Sequence, residues 1–400
     1  MHNGQAGNLC VPVTMRDVIC QMMGSANKLI RCGSFRWCLA VLLAMLLPEA
    51  ILAEKNERTK GAEAEPSSLS SVFQVAGQEI TRGERKDVGL KVSESFLGAV
   101  VDTPVGIIRG EEPGPVLCLV AGIHGDELNG TEIVREILET HQPEDIRGTL
   151  IGVPIANLFG FVNQSRYLPD RRDLNRFFPG NPRGSSASRI AHHLWTVLRH
   201  CTHLIDFHTG SLHRSNLPQV RGDFSGEGVL ELAEAFGAAA IVHSQGPAGT
   251  IRRTAGDNGI AAILYEAGEV MRFQRAEIRR GVLGVRNVMV SLGMRDGRQV
   301  DLGPRTVYRK TRWVRAEHGG ILEMYPSLGE WVNEGDIVGV ISDPLRRDKG
   351  VLVSAHTGRV IGIELAPMVI PGMAVMHVGI TSSLDEEEDG MELLDIDRPR

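Results

Sequence analysis

PVLCLVAGIHGDELNG, residues 115–130, passes from an almost unbroken apolar run into a glycine-flanked turn that carries His124, Asp126 and Glu127. A strand buried on both faces reads as such a run, because neither set of alternating side chains meets water. The segment that follows, Thr131–Thr140, sets Ile133, Val134, Ile137 and Leu138 on one helical face. Strand, turn and helix in that order begin an α/β unit.

Outward from this stretch the same alternation continues. Thr149–Ile155, His203–Phe207, Ala239–His243 and Ala261–Glu266 read as extended. Ser188–His200, Gly228–Phe236 and Ala276–Leu292 read as helices. The expected fold is α/β, with a mixed, mostly parallel sheet covered by helices on both faces, over residues 76–298. From about residue 299 to 382 short extended segments are split by Gly, Pro, Asn and Asp, and no amphipathic helix is apparent. This reads as a small C-terminal all-β domain, with segments such as GEWVNEGDIVGVISD (329–343) similar to barrel-sandwich modules.

The ends of the chain differ in kind. Residues 39–53, LAVLLAMLLPEAILA, follow Lys28, Arg31 and Arg36 and end in small residues. A basic flank, a short apolar stretch and a small-residue exit describe a secretory signal, whereas a spanning helix needs about 20 apolar residues. Residues 1–53 are therefore read as a signal peptide of an exported, periplasmic protein, with an uncleaved membrane anchor as the competing reading. A polar linker (54–75) follows, and an acidic tail (383–400) closes the chain. A formal net charge of -6 with interspersed signs offers no basic patch for nucleic acid. Of six cysteines, four precede residue 39. Cys118 and Cys201 are read as small buried hydrophobes, with a bridge between them allowed in an oxidising compartment but not demanded.

Chemistry concentrates at two strand ends. His124 and Glu127 are three residues apart, close enough to converge on one point. HLIDF (203–207) runs into His208, again at the carboxyl end of a buried strand, where open α/β sheets bind ligands. Two imidazoles and one carboxylate make a three-ligand zinc site with a position open for water, one ion per chain. Alone, His–x–x–Glu is more often a pair of surface side chains; its context separates it from His192, His193, His200, His203, His213 and His243, which receive no role. Asp206, two residues before His208 on the same strand face, reads either as a carboxylate that orients an imidazole or as a buried structural carboxylate.

Between these ends lies a long polar loop, residues 156–180. HGDE (124–127), RY (166–167), DLNR (173–176), FPG (178–180) and DFHTG (206–210), in this order and spacing, resemble the succinylglutamate desuccinylase/aspartoacylase family, a branch of the zinc carboxypeptidase-like fold. The resemblance covers roughly Val105 to Leu292, and the β-rich segment is similar to that of bacterial members. It implies His124, Glu127 and His208 as zinc ligands and Arg166 as the cation that polarises the scissile carbonyl. It implies Asn175 and Arg176 as the holders of a substrate carboxylate. Glu266, in ILYEAG, matches the catalytic glutamate, with Glu269 as the fallback. A further substrate-binding arginine is either Arg252 or Arg253, with Arg253 preferred.

The resulting expectation is a zinc amidohydrolase that deacylates N-acyl amino acids or related small amides bearing a free carboxylate. An exported carboxypeptidase acting on peptides or cell-wall fragments is the first alternative. A non-catalytic zinc- and carboxylate-binding protein is the second. No nucleic-acid partner is expected, a membrane partner only if the leader is retained, and the oligomeric state is left open.

Overall fold

The computed structural model describes residues 72–380, which fall within one compact unit. The expected leader, most of the linker and the acidic tail lie outside the described residues. Nineteen strands are described: β1 (Val72–Val75), β2 (Gln78–Thr81), β3 (Glu84–Glu94), β4 (Val100–Arg109), β5 (Val116–Val120), β6 (Thr149–Val153), β7 (His203–Gly210), β8 (Arg214–Gly222), β9 (Ala240–His243), β10 (Ala261–Glu269), β11 (Thr306–Tyr308), β12 (Lys310–Arg315), β13 (Gly320–Met324), β14 (Trp331–Val332), β15 (Ile337–Ser342), β16 (Asp348–Val353), β17 (Gly358–Glu364), β18 (Met368–Val369) and β19 (Ala374–Ile380). Six α-helices accompany them: α1 (Asn129–Glu139), α2 (Leu158–Val162), α3 (Ser186–Leu198), α4 (Val229–Phe236), α5 (Ile251–Asp257) and α6 (Arg275–Ser291).

One large sheet organises the molecule, in the order β12-β19-β17-β8-β10-β7-β5-β6-β4-β3, with β9, β11 and β14 branching from it. Parallel pairing joins β6, β5, β7 and β10 at the centre, and β8, β9 and β11 beside it. The remaining pairings are antiparallel. The sheet is thus mixed as expected: within residues 76–298 parallel pairings outnumber antiparallel ones, and the C-terminal strands add mainly antiparallel pairings. Only strands joined by crossover helices run parallel, whereas β8 runs antiparallel to β10 and the β3–β4 hairpin closes the far edge.

Alternation along β5 builds two cores at once. Leu117 and Leu119 pack under α1, α4 and α6 with Ile133, Val134, Phe236 and Val285. Val116, Cys118 and Val120 face the other way, towards Ile190, Leu194 and Val197 of α3 and Ile251 of α5. Burial of both faces explains the continuous apolar run that the sequence displays.

The C-terminal strands extend this sheet as well as forming their own. β17 pairs with β8 and β11 pairs with β9, so the large sheet runs unbroken across residue 299. A separate four-stranded sheet, β16-β15-β13-β18, covers a small core around Leu322, Val338, Ile341 and Leu352.

Cys118 and Cys201 are bonded, with Cα atoms 5.8 Å apart. Cys118 lies within β5, and Cys201 lies two residues before β7, the parallel neighbour of that strand. Their reading as independent buried hydrophobes is corrected accordingly.

Candidate active site

The turn after β5 turns His124 and Glu127 inwards, and α1 starts immediately beyond it. Gly125 makes this possible. Its N–H donates to Ser165 O at 3.0 Å, and a Cβ there would run into the backbone of Gly160 and Phe161. The turn carrying His124 and Glu127 and the loop carrying Arg166 therefore touch backbone to backbone.

His124, Glu127 and His208 are 3%, 2% and 5% exposed, so all three are withdrawn from solvent. Glu127 lies between the imidazoles, its Oε1 2.8 Å from His124 Nδ1 and its Oε2 2.7 Å from His208 Nδ1. One ligand atom from each residue falls within 4.8 Å of the others. The outer nitrogens are held too. His208 Nε2 is 3.0 Å from Asp206 Oδ2, and His124 Nε2 is 3.1 Å from Asp173 Oδ1. Carboxylates behind imidazoles fix ring orientation and raise donor strength, which is how proteins prepare histidines for a metal. The donor set, two imidazoles and a carboxylate, suits zinc.

Electrostatics follow from this geometry. Burial opposes a charge on His208, but Asp206 and Glu127 outweigh it and raise its pKa well above the ordinary value. Burial likewise works against ionised Glu127, yet His124 and His208 pull its pKa far below the carboxylate range. Asp173 is also held low, with burial opposed by His124, Arg166 and Arg176. A metal ligand must be deprotonated, so a dication held here would compete with protons for these side chains.

The loop between β6 and α3 delivers the remaining groups. Arg166 Nη2 is 2.8 Å from Asp173 Oδ2, and Arg166 Nη1 is 3.3 Å from Glu127 Oε1. Asp173 also caps the short turn Leu174–Arg176 by accepting from Asn175 N at 2.9 Å. Asn175 is buried, with Oδ1 accepting from Ile251 N at 2.8 Å and Nδ2 3.5 Å from His208 Nε2. Arg176 is the more exposed member, donating to Asn175 O at 2.9 Å and lying 3.7 Å from Asp173 Oδ2. Asp173 was given no role in the sequence reading, although it opens the DLNR stretch that was singled out.

Glu266 is the direct register partner of His208 on the adjacent parallel strand, so both side chains share one face of the sheet. Its Oε2 is 3.0 Å from Arg221 Nη2 on β8, a partner in a strand the sequence did not reveal. Glu269 lies past a break in the ladder and pairs with exposed Arg272 at 3.1 Å. The two candidate arginines separate cleanly. Arg253 turns to Asp257 one helical turn away, at 2.8 Å, and that pair is partly exposed. Arg252 is buried and donates to Ser244 O. Burial, reinforced by nearby Arg221 and opposed by Asp206 and Glu266, lowers its pKa to about 10. Helix periodicity swings neighbouring side chains about 100° apart, so Arg252 is buried against Ser244 while Arg253, the preferred candidate, lies at the partly exposed Asp257 pair.

Residues 113–292 match the catalytic domain of the succinylglutamate desuccinylase/aspartoacylase family. That domain belongs to this family. The N-alpha-acetyl-L-2,4-diaminobutyric acid deacetylase of Halomonas elongata is 29% identical over 294 residues, covering 70% of this chain and 85% of that protein. A solved succinylglutamate desuccinylase/aspartoacylase from Rhodobacter sphaeroides is similar with a TM-score of 0.70 and 25% identity, over 79% of this chain and 100% of that one. The product-bound ectoine utilization protein EutE (DoeB) from Ruegeria pomeroyi gives a TM-score of 0.69 and 25% identity, over 75% and 96%. A succinylglutamate desuccinylase/aspartoacylase domain is a hydrolase of the deacylase group, and small acylated amino acids are the substrate class of such relatives.

Proposed function

We propose that this protein is a zinc-dependent amidohydrolase that removes the acyl group from an N-acyl amino acid bearing a free carboxylate. The observation that carries this reading is the convergence of buried His124, Glu127 and His208 within 4.8 Å, at the carboxyl ends of two parallel strands. Zinc held by these residues would lower the pKa of water towards about 7 and polarise the acyl carbonyl.

The chain's own residues supply the rest. Glu266 accepts the proton of the attacking water and hands it to the departing amine, which is a poor leaving group unless protonated. Arg166, fixed by Asp173, donates to the carbonyl oxygen as that oxygen gains negative charge. Arg176, at the partly exposed side of the loop, offers a two-pronged guanidinium to the substrate carboxylate, and buried Asn175 holds its backbone in place. The relative from Halomonas elongata supports an N-acetylated diamino acid as the first substrate to try.

We also assign the protein to an oxidising compartment. The signal-like residues 39–53 support export, and so does the Cys118–Cys201 bond, since such bonds persist outside the reducing cytosol. Fractionation of cells making the tagged full chain checks this, with recovery of the unprocessed chain in the cytosol as the contrary outcome.

The decisive experiment joins metal analysis to turnover. The purified protein is expected to hold about one zinc per chain. It is expected to hydrolyse N-α-acetyl-L-2,4-diaminobutyrate or another member of a panel of N-acetyl and N-succinyl amino acids. Glu266→Gln should leave zinc in place and reduce kcat by about 100-fold or more. Release of C-terminal residues from free peptides, with the N-acyl panel untouched, would replace deacylation by carboxypeptidase activity. Bound zinc with no turnover of either class would make the protein a binder.

A further inference from the structure

Just past Glu266 the ladder of β10 is interrupted on both sides. Towards β7 the register shifts between Glu266 and Glu269, and towards β8 it shifts between Glu266 and Gly268. Such a bulge re-aims side chains, and it leaves backbone groups that the sheet no longer pairs.

Asn129 and Gln274 occupy that gap. Asn129 Nδ2 donates to Ala267 O at 3.2 Å, and to Gln274 Oε1 at 3.0 Å. Gln274 N donates back to Asn129 Oδ1 at 2.8 Å. Gln274 Oε1 also accepts from Glu269 N at 2.9 Å. Gly268, at φ +73°, leaves room for the Gln274 amide, which a Cβ at 268 would strike. Asn129 is 2% exposed and sits two residues after Glu127, in the first turn of α1. Nearby, Met271 N donates to Asp126 O at 2.8 Å, a second tie between the same two segments.

We infer that the reciprocal Asn129–Gln274 pair is a clamp that sets the position of Glu266 relative to the metal-binding turn. The Asn129 side chain bonds to Ala267 O and Gln274, not to the His124, Glu127 or His208 ligand atoms; it is a positioning residue acting through Ala267. The inference rests on the proton-transfer role proposed for Glu266. Misplacing a reacting group by about 1 Å costs on the order of 100-fold in rate, so losing the brace is felt in kcat.

The test uses the full zinc-loaded chain and N-α-acetyl-L-2,4-diaminobutyrate, or whichever panel compound it hydrolyses. Asn129→Ala is expected to lower kcat by about 10- to 100-fold, with KM within about twofold of wild type. Zinc per chain should not change. In a Glu266→Gln background the same substitution should add no further loss, because the group it positions is already disabled. If Asn129→Ala does not fold, Gln274→Ala removes the same brace from the less buried side and should give the same pattern. Wild-type kcat in these variants overturns the clamp, as does an effect carried by KM or zinc loss, or a loss that multiplies equally in both backgrounds. Full turnover by Glu266→Gln alone instead removes the role of Glu266, a result distinguishable from failure of the clamp.

Discussion

His208 and His377 are both nearly sealed inside the same large sheet, yet their surroundings shift their pKa values in opposite directions. His208 has a carboxylate at each ring nitrogen, Glu127 at 2.7 Å and Asp206 at 3.0 Å. His377, on β19, stacks flat on Trp313 with ring centres 4.1 Å apart, and Arg214 lies over the same indole at 4.8 Å. Among the described residues neither of its nitrogens has a hydrogen-bond partner. Burial first, then Arg221 and Arg214, push its pKa well below the ordinary value. Burial pushes both histidines the same way; at His377 the neighbouring arginines reinforce it, and at His208 the carboxylates reverse it. One region is prepared for a cation, and the other excludes a proton.

The contrast can be broken most severely at its charged end. His208→Ala should abolish zinc binding and cut kcat/KM by at least about 1,000-fold, read by metal analysis and steady-state kinetics. Retained zinc would mean that the three side chains do not act as one site. A milder change, Asp206→Asn, keeps the ligand but weakens its orienting charge. It should loosen zinc by about 10- to 100-fold in a competition assay with a chelator. An unchanged affinity would reduce Asp206 to a structural carboxylate.

At the neutral end the effect appears in stability. His377→Phe keeps an aromatic ring on Trp313 and removes the titrating group. Because the folded pKa lies below the ordinary 6.5, the unfolded chain takes up a proton first as pH falls. The stability associated with neutral His377 is full above about pH 6.5 and drains away as pH drops towards the folded value. The wild type should thus lose up to about 1.4 kcal/mol per pH unit relative to the variant below pH 6.5, measured by denaturant unfolding. Parallel curves would show that His377 titrates alike in both states. Smallest of all, Arg253→Gln should alter stability by no more than about 1 kcal/mol, as exposed pairs do, and leave KM within about twofold. A large rise in KM would return Arg253 to the substrate site.

Much of the His124–Glu127–His208 cluster was legible because its strands advertise themselves. β5 and β7 are buried on both faces, so their apolar runs stand out and the histidines at their ends acquire context. Asp206 followed from the two-residue period of a strand. Asp173 did not, because it reaches His124 across 49 residues through a loop whose path depends on the Gly125 contact. β8 was hidden for a different reason. RSNLPQVRG contains Pro218 and no alternation, and its pairing comes from β10 on one side and β17 on the other. With β8 unseen, Arg221 and the continuity of the sheet into the C-terminal strands went unseen too. Spacing could not separate the two arginines on α5, where helix phase alone distinguishes buried Arg252 from partly exposed Arg253.

The Cys118–Cys201 bond joins the chain six residues before one imidazole ligand and seven before the other. The loop bearing Arg166 and Arg176 lies wholly inside the ring so closed, and its tip presents exposed Arg171 and Arg172. Trypsin cutting there would sever the main chain without separating the pieces. The nicked protein should run as one band until a thiol is added and as two afterwards, with both histidine donors still tethered to a common body.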